Sequence, residues 1–288
     1  MTRRALVTGA GGPVGEAIAT ALLRDGWAVV ASMRRRRAAT IARLQAQGAE
    51  VAFHALPDDS AQWARAAGGC DALVVAAHLQ AATAALQNAA VECGRVVAFS
   101  SNNVVADAGA PSYVALAAAE AALRARFADA AIVRPTLIYG DPRLPTLTRL
   151  MRLAQRWPVL PMPGSGRALV QPVFHRDLAA LAAGLAAADA PGGVFAAGGP
   201  DVLSMRDLYR AVTDALGVSR LILPTPRPAL ALATALRVLT REQAARADVD
   251  RIAAPQDALP LSLTPRTTLA EGLAAHVSAL RAELPGGG

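Results

Sequence analysis

The segment Thr8-Gly9-Ala10-Gly11-Gly12-Pro13-Val14-Gly15 constrains this chain more than any other. It lies between an apolar run at residues 5–8 and a stretch, 15–24, whose Ile18, Leu22 and Leu23 share one helical face. A strand that turns through glycines into a helix has the geometry that cradles a pyrophosphate. Gly9 permits the tight turn, Gly12 lets a phosphate approach the backbone, and Gly15 allows helix and strand to pack closely. Amide donors at the helix N-terminus add partial positive charge for the phosphates. With Gly11, Pro13 and Val14 these residues form the expected dinucleotide loop.

The rest of the first 140 residues repeats that alternation. Apolar strands are expected at 27–32, 50–53, 71–77, 95–100 and 131–134, with helices at 38–47, 81–93 and 113–127. Buried strands alternating with helices indicate an α/β fold, a Rossmann-like doubly wound parallel sheet. After Tyr139-Gly140-Asp141-Pro142 the pattern loosens and prolines cluster. Helical pieces at 146–156, 177–188, 204–216 and 267–283, with a strand at 193–197, read as a small C-terminal cap on the sheet's edge rather than a second core. The expected division is a nucleotide-binding domain over 1–140, joined by a returning segment at about 167–200. The cap takes most of 141–288.

Composition removes several classes of function. The chain has 288 residues, 53% of them hydrophobic, too many for disorder. No apolar run reaches the roughly 18 residues that span a bilayer. The chain also turns at Gly9 before a signal-peptide core develops, so a cytoplasmic, soluble protein without membrane contact is expected. All 29 basic residues are arginine. The absence of lysine excludes a Walker lysine, a Schiff-base lysine and any lysine-assisted tyrosine. Cys70 and Cys93 lack metal or disulfide spacing, and no metal site is expected.

The end of the second strand bears on cofactor choice. A carboxylate there binds an adenosine ribose and favours NAD. This chain has Ala31-Ser32-Met33-Arg34-Arg35-Arg36-Arg37 instead. Guanidinium groups match a 2′-phosphate bidentately and Ser32 adds a hydroxyl, so NADP(H) is the expected cofactor. Arg34 and Arg35 are the leading contacts, because the later arginines are expected to turn outward as the next helix begins. Binding of nucleic acid by the same run is disfavoured by the lack of interleaved aromatics. The expected partner is a small-molecule substrate.

The glycine loop, Phe99-Ser100-Ser101, Tyr113 with Glu120, and Arg134-Pro135-Thr136-Leu137-Ile138-Tyr139-Gly140 together resemble the extended short-chain dehydrogenase/reductase superfamily. That branch includes the NAD(P)-dependent epimerases and dehydratases. Gln171-Pro172-Val173-Phe174-His175-Arg176-Asp177 and Thr264-Pro265-Arg266-Thr267-Thr268-Leu269 fit the same pattern, so the resemblance covers almost the whole chain. The QPV segment is most similar to atypical members near the complex I accessory NADPH-binding subunit and the NmrA-like proteins. The resemblance implies that Ala76, Ala77 and His78 line the cofactor, that Ser100 lies beside it, and that Pro135, Thr136 and Leu137 border its nicotinamide. It also makes a homodimer, paired through helices flanking the sheet, the candidate assembly.

The catalytic set departs from the family. Its tyrosine is followed four residues later by a lysine, and here that position is Ala117. Without a neighbouring cation a phenol is a poor base at neutral pH. The family's hydroxyl partner falls at Ser101 or Asn102, and an amide at Asn102 still donates to a carbonyl. His175 is expected to pack rather than catalyse, and Asp177 to cap a helix. The expected function is hydride transfer to or from a small carbonyl, quinone or enone, with Tyr113, Asn102 and Ser101 polarising its oxygen. The alternatives are an inactive NADP(H)-binding sensor or assembly protein, and a sugar epimerase or dehydratase.

Overall fold

Strand β1, Arg4–Thr8, is buried along four of its five residues, and its apolar side chains leave it only a central place in a sheet covered on both faces. The computed structural model describes residues 2–88, 91–225, 246–253 and 259–283. Around β1 stand β2 (Ala28–Met33), β3 (Glu50–Phe53), β4 (Ala72–Val75), β5 (Arg95–Phe99), β6 (Ala131–Pro135) and a later strand, Gly193–Ala197. They form one seven-stranded parallel sheet in the order β3, β2, β1, β4, β5, β6 and Gly193–Ala197. Leu6 of β1 registers with Val30 of β2 on one side and Leu73 of β4 on the other. The chain reverses its winding there, between β1 and β4, where doubly wound sheets open a crevice.

Helices cover both faces. On one lie α1 (Pro13–Arg24), α2 (Ala38–Ala46) and the helix His175–Leu185, whose Ile18, Leu44 and Leu178 bury against Val7, Val29 and Val97. On the other lie α3 (Ser60–Ala67), α4 (Leu79–Asn88) and the long helix Pro111–Arg126, with Trp63, Leu86 and Leu123 against Leu6, Leu73 and Ile132. The helix α3 lies outside the expected elements, since Trp63 is the one large apolar side chain among its eight residues. Trp63 fixes it by donating from Nε1 to Thr8 Oγ1 at 3.0 Å. Of the helix expected over 81–93, residues 91–93 are not helical and 89–90 lie outside the described residues.

The C-terminal part departs from expectation in one respect. It builds an apolar cluster of its own, from Leu147, Met151, Leu160, Leu208, Val212, Leu273 and Val277 around Tyr139. Short paired strands hold it, including Val159–Pro163 beside Leu221–Thr225 and Pro172–Phe174 beside Leu137–Tyr139. Prolines hid these strands from sequence reading. The last helix, Leu269–Glu283, is anchored by three carboxylates: Asp201 accepts the Leu269 amide at 2.6 Å, Glu271 accepts the Thr268 amide, and Asp177 accepts the Arg266 and Thr267 amides. Asp177 is therefore a clasp for this segment rather than a cap on its own helix. The N-cap position there belongs to Phe174.

Candidate cofactor cleft and active site

The cleft opens at the carboxyl ends of β1, β2 and β4, and two of its glycines are required by the fold itself. Gly9 has φ +81°, and a Cβ there would meet Ala77 Cβ at 2.6 Å. At Gly15 a Cβ would lie 2.3 Å from the Gly9 carbonyl oxygen. Gly12 differs: it has φ −92°, and a Cβ would meet only the Gly9 oxygen at 3.5 Å. Folding leaves this position free to carry a side chain, so glycine here clears space above the head of α1. Gly12 donates its amide to Gly9 at 2.9 Å, and Pro13 follows in the first turn, where its missing N–H costs nothing. A cradle that a Cβ would fill, at a helix N-terminus, fits a dinucleotide phosphate.

Ser32, Arg34, Arg35 and Arg37 line the other end of the cleft, and among the described residues no carboxylate lines it. Arg36 turns away and lays its guanidinium 4.1 Å from the Phe53 ring centre. The outward turn thus falls on Arg36 alone. Arg37 returns to the cleft, with its side chain near Gly11, because it sits at the N-cap of α2 and has not yet entered the helix. Ser32 and His54 also line this end, their Oγ and Nδ1 2.9 Å apart. Ala77 and His78 line the far wall beside Gly9, and His78 adopts a left-handed φ of +58° at the end of β4. Ala76 is half-buried at the same strand end and donates its amide to Thr8.

The residues expected to be catalytic follow β5. Tyr113 stands in the first turn of the helix Pro111–Arg126, and its hydroxyl accepts a hydrogen bond from Asn103 Nδ2 at 2.8 Å. Asn103, rather than Ser101 or Asn102, is the side chain brought to the phenol. Ser101 Oγ accepts the Asn103 amide at 3.2 Å. Asn102 is buried and donates from Nδ2 to the Ile252 carbonyl at 2.7 Å, across to a segment 150 residues away. Sequence counting along a strand-to-helix turn cannot resolve which of three successive polar residues faces a given partner.

Beneath this site Ser100 and Glu120 are joined by a hydrogen bond from Ser100 Oγ, and Arg134 Nη2 reaches the same carboxylate at 2.5 Å. Ser100 thereby holds β5 to the tyrosine helix. Ala117 is only partly buried at the position of the missing lysine. Thr136 donates its hydroxyl to the Gln171 carbonyl and its amide to Ala197, fixing the turn between Pro135 and Leu137.

Two further polar groups were not anticipated. Glu16, in the first turn of α1, accepts Arg43 Nε at 2.6 Å and Arg143 Nη1 at 2.5 Å. Burial raises its pKa, but the two arginines outweigh burial and hold the carboxyl below its usual range. His276 is fully buried and accepts the Gly140 amide at Nδ1, so its proton sits at Nε2, 3.0 Å from Thr148 Oγ1. Burial pushes its pKa down to about 4. His175 is also buried and pushed down by desolvation, which agrees with a packing role. No group of three or more metal-ligating side chains occurs among the described residues, nor does a helix long and apolar enough to cross a membrane.

Comparison with known proteins places this geometry. In overall structure the chain is similar to UDP-glucuronic acid 4-epimerase from Bacillus cereus, solved with NAD (TM-score 0.74, 16% identity, 97% of this chain and 99% of that one). It is equally similar to the triphenylmethane reductase of Citrobacter sp. complexed with NADP(H) (TM-score 0.74, 17% identity, 96% and 99%). The dTDP-glucose 4,6-dehydratase DesIV of Streptomyces venezuelae, with NAD bound, follows (TM-score 0.70, 22% identity, 97% and 97%). No curated protein matches the chain in sequence. The chain therefore shares the fold of these epimerase, dehydratase and reductase structures. Residues 9–157, just over half the chain and all of the glycine loop, match the NAD(P)H-binding family, and the chain belongs to that family.

Proposed function

We propose that this protein is an NADP(H)-dependent oxidoreductase acting on a small, largely apolar carbonyl, quinone or enone compound. One observation carries the cofactor choice: Arg34, Arg35 and Arg37 converge with Ser32 on a cleft end lined by no carboxylate among the described residues. A ribose 2′-phosphate satisfies those guanidinium groups, whereas the bare hydroxyl of NAD leaves them unmatched. NADP(H), when bound, supplies or accepts the hydride.

The chain's own residues bind, orient and polarise. Gly12 and the head of α1 receive the phosphates, with Gly11, Pro13 and Val14 shaping the loop. Pro135, Thr136 and Leu137 form the rim expected against the nicotinamide, their turn held by the Thr136 bonds. Tyr113 is the donor to the substrate oxygen. The Asn103 N–H on the phenol oxygen orients the ring and strengthens the hydrogen bond it passes on. With Ala117 at the position of the family's lysine, the proton balance of the reaction runs through solvent or the substrate's own groups.

Similarity to triphenylmethane reductase supports a reductase working on a small organic molecule, and the equal similarity to sugar-nucleotide epimerases makes those substrates the runner-up. A second reading, an NADP(H) sensor without turnover, is favoured by one observation, the absent lysine. The deciding experiment is NADPH oxidation over a panel of carbonyls, quinones and enones, with Tyr113→Phe alongside. Turnover that falls in the variant supports the enzyme. Tight NADPH binding with no turnover on any compound supports the sensor.

A further inference from the structure

Of the buried Ser32–His54 pair, only Ser32 has a part in the reading above. Ser32 is the last residue but one of β2, and His54 follows β3. The parallel pairing of Met33 with Phe53 sets them side by side, and the His54 amide donates to the Met33 carbonyl at 3.2 Å. Ser32 Oγ lies 2.9 Å from His54 Nδ1. Ser32 is 1% exposed and His54 6%, so little water competes for the bond, yet both line the cleft beside Arg34, Arg35 and Arg37.

The direction of this bond depends on which ring nitrogens carry protons: Nδ1 donates in the imidazolium and in the neutral Nδ1–H tautomer, and accepts in the neutral Nε2–H tautomer. When the neutral ring carries its proton at Nε2, Nδ1 is an acceptor and the Ser32 hydroxyl must donate to it. In the imidazolium, Nδ1 donates to Ser32 Oγ and the hydroxyl proton is released for another acceptor. A phosphate dianion favours the second arrangement twice, through its charge and as that acceptor.

We infer that His54 is a positioning residue for the adenosine 2′-phosphate: it takes up a proton on binding, turns Ser32 into a donor towards the phosphate, and so makes NADP(H) binding proton-coupled. This rests on the NADP(H) reading above.

Burial pushes the free ring below its ordinary value, against the pull of Asp59, so the ring has a proton to gain. Asp59, before α3, favours the charged ring. Arg34, Arg35 and Arg37 line the same cleft, as does His78 from the loop after β4. By linkage, the contribution of His54 to phosphate affinity grows as pH falls between the ring's bound and free pKa values. The phosphate's own protonation near pH 6 works the other way, so the informative comparison is between variants at one pH.

The test is calorimetric titration with 2′,5′-ADP and with 5′-AMP at pH 7, in buffers of differing ionisation enthalpy, on wild type, His54→Asn and Ser32→Ala. The expected result is net proton uptake with 2′,5′-ADP on wild type and none with 5′-AMP. Both variants lose the uptake, and His54→Asn, whose amide still donates to Ser32, stays within about tenfold in affinity. Thermal melts confirm that each variant folds. Uptake that persists in His54→Asn overturns the inference, as does phosphate-selective binding by wild type without uptake. If wild type does not favour 2′,5′-ADP over 5′-AMP, the NADP(H) reading itself fails and takes this inference with it.

Discussion

Arg143 Nη1 donates to the Glu16 carboxylate across 2.5 Å, tying the loop after Tyr139 to the first turn of the helix that heads the cofactor cleft. Arg143 also grips Asp141 at 2.7 Å, and Arg43 grips Glu16 from α2. The network is three-quarters shielded at Arg143, whose side chain is 25% exposed. It bridges elements that share no sheet hydrogen bonds and fixes the cleft against the C-terminal cluster.

Replacing Arg143 with methionine keeps the side-chain stem and removes the charge. Because Arg43 still pairs with Glu16, the expected loss is about 1–3 kcal/mol, less than for stranding a buried carboxylate entirely. Urea unfolding checks this. The pH dependence has a definite sign. Burial raises the Glu16 and Asp141 values, but the arginine contacts outweigh it and both carboxyls titrate below their ordinary range. Their stabilisation is full above the unfolded-state values near 4.5 and 3.8 and is lost as pH falls through the lowered native ones. Arg143→Met is expected to show a shallower acid limb than wild type.

Two glycines separate folding from binding. Gly15→Ala drives a Cβ to 2.3 Å from a backbone oxygen and is expected to cost several kcal/mol, about 2–4, or to prevent folding. Gly12→Ala meets nothing closer than 3.5 Å, so its melting temperature is expected to stay within a few degrees of wild type. Its NADPH affinity is expected to fall at least about tenfold, a loss of roughly 1.4 kcal/mol. A Gly12→Ala protein that binds NADPH normally contradicts the placement of phosphate at this turn.

Asn103 Nδ2 donates to the Tyr113 hydroxyl at 2.8 Å, so the two side chains are expected to be coupled in kcat. Tyr113→Phe is expected to lower kcat on an accepted substrate by about 100-fold, the scale of losing one oriented donor. Asn103→Ala, acting through the phenol, is expected to lower it by roughly tenfold, and the double variant by no more than Tyr113→Phe alone. NADPH affinity is expected to change little in all three. Additive losses in kcat would break the link between the two side chains.

His276 gives the fold a sensitivity to acid. Its native value of about 4 lies below the ordinary 6.5, because burial disfavours the charged ring. The unfolded chain therefore binds a proton there first as pH falls. The stabilisation of the neutral ring is full above pH 6.5 and drains away towards pH 4, by up to about 3 kcal/mol. His276→Gln is expected to start less stable, since it disturbs the bonds to Gly140 and Thr148, yet to show a flatter stability profile over that interval.

The sheet was legible because a buried parallel strand has to be an apolar run: Leu73-Val74-Val75 and the strand Gly193–Ala197 announce themselves. The cap was not. Proline at 158, 161, 163 and 172 argues against strands, and the strands that form around them are short pairs two to five residues long, settled by tertiary contact. Within the site, the glycine turn falls between β1 and α1 where the sequence puts it, since a strand–glycine–helix signal is local. The arginine run was only half resolved: Arg36 turns outward as its position suggests, but Arg37, at the N-cap of α2, still lines the cleft. Asn103 escaped notice for a related reason, as a tight turn decides which neighbour points at Tyr113. Glu16 with Arg143, and His276 with Gly140, lie 127 and 136 residues apart, and no local pattern encodes such pairs.

The most direct test of the account is calorimetric titration of the protein with NADPH and with NADH, repeated on Arg34→Ala and Arg37→Ala. The account predicts micromolar NADPH, NADH weaker by at least about tenfold, and a loss of roughly 10- to 100-fold for NADPH in each variant, the worth of a charge-assisted contact. NADH affinity is expected to be unaffected by either change. Equal binding of the two cofactors by wild type, with both variants indifferent, would contradict it.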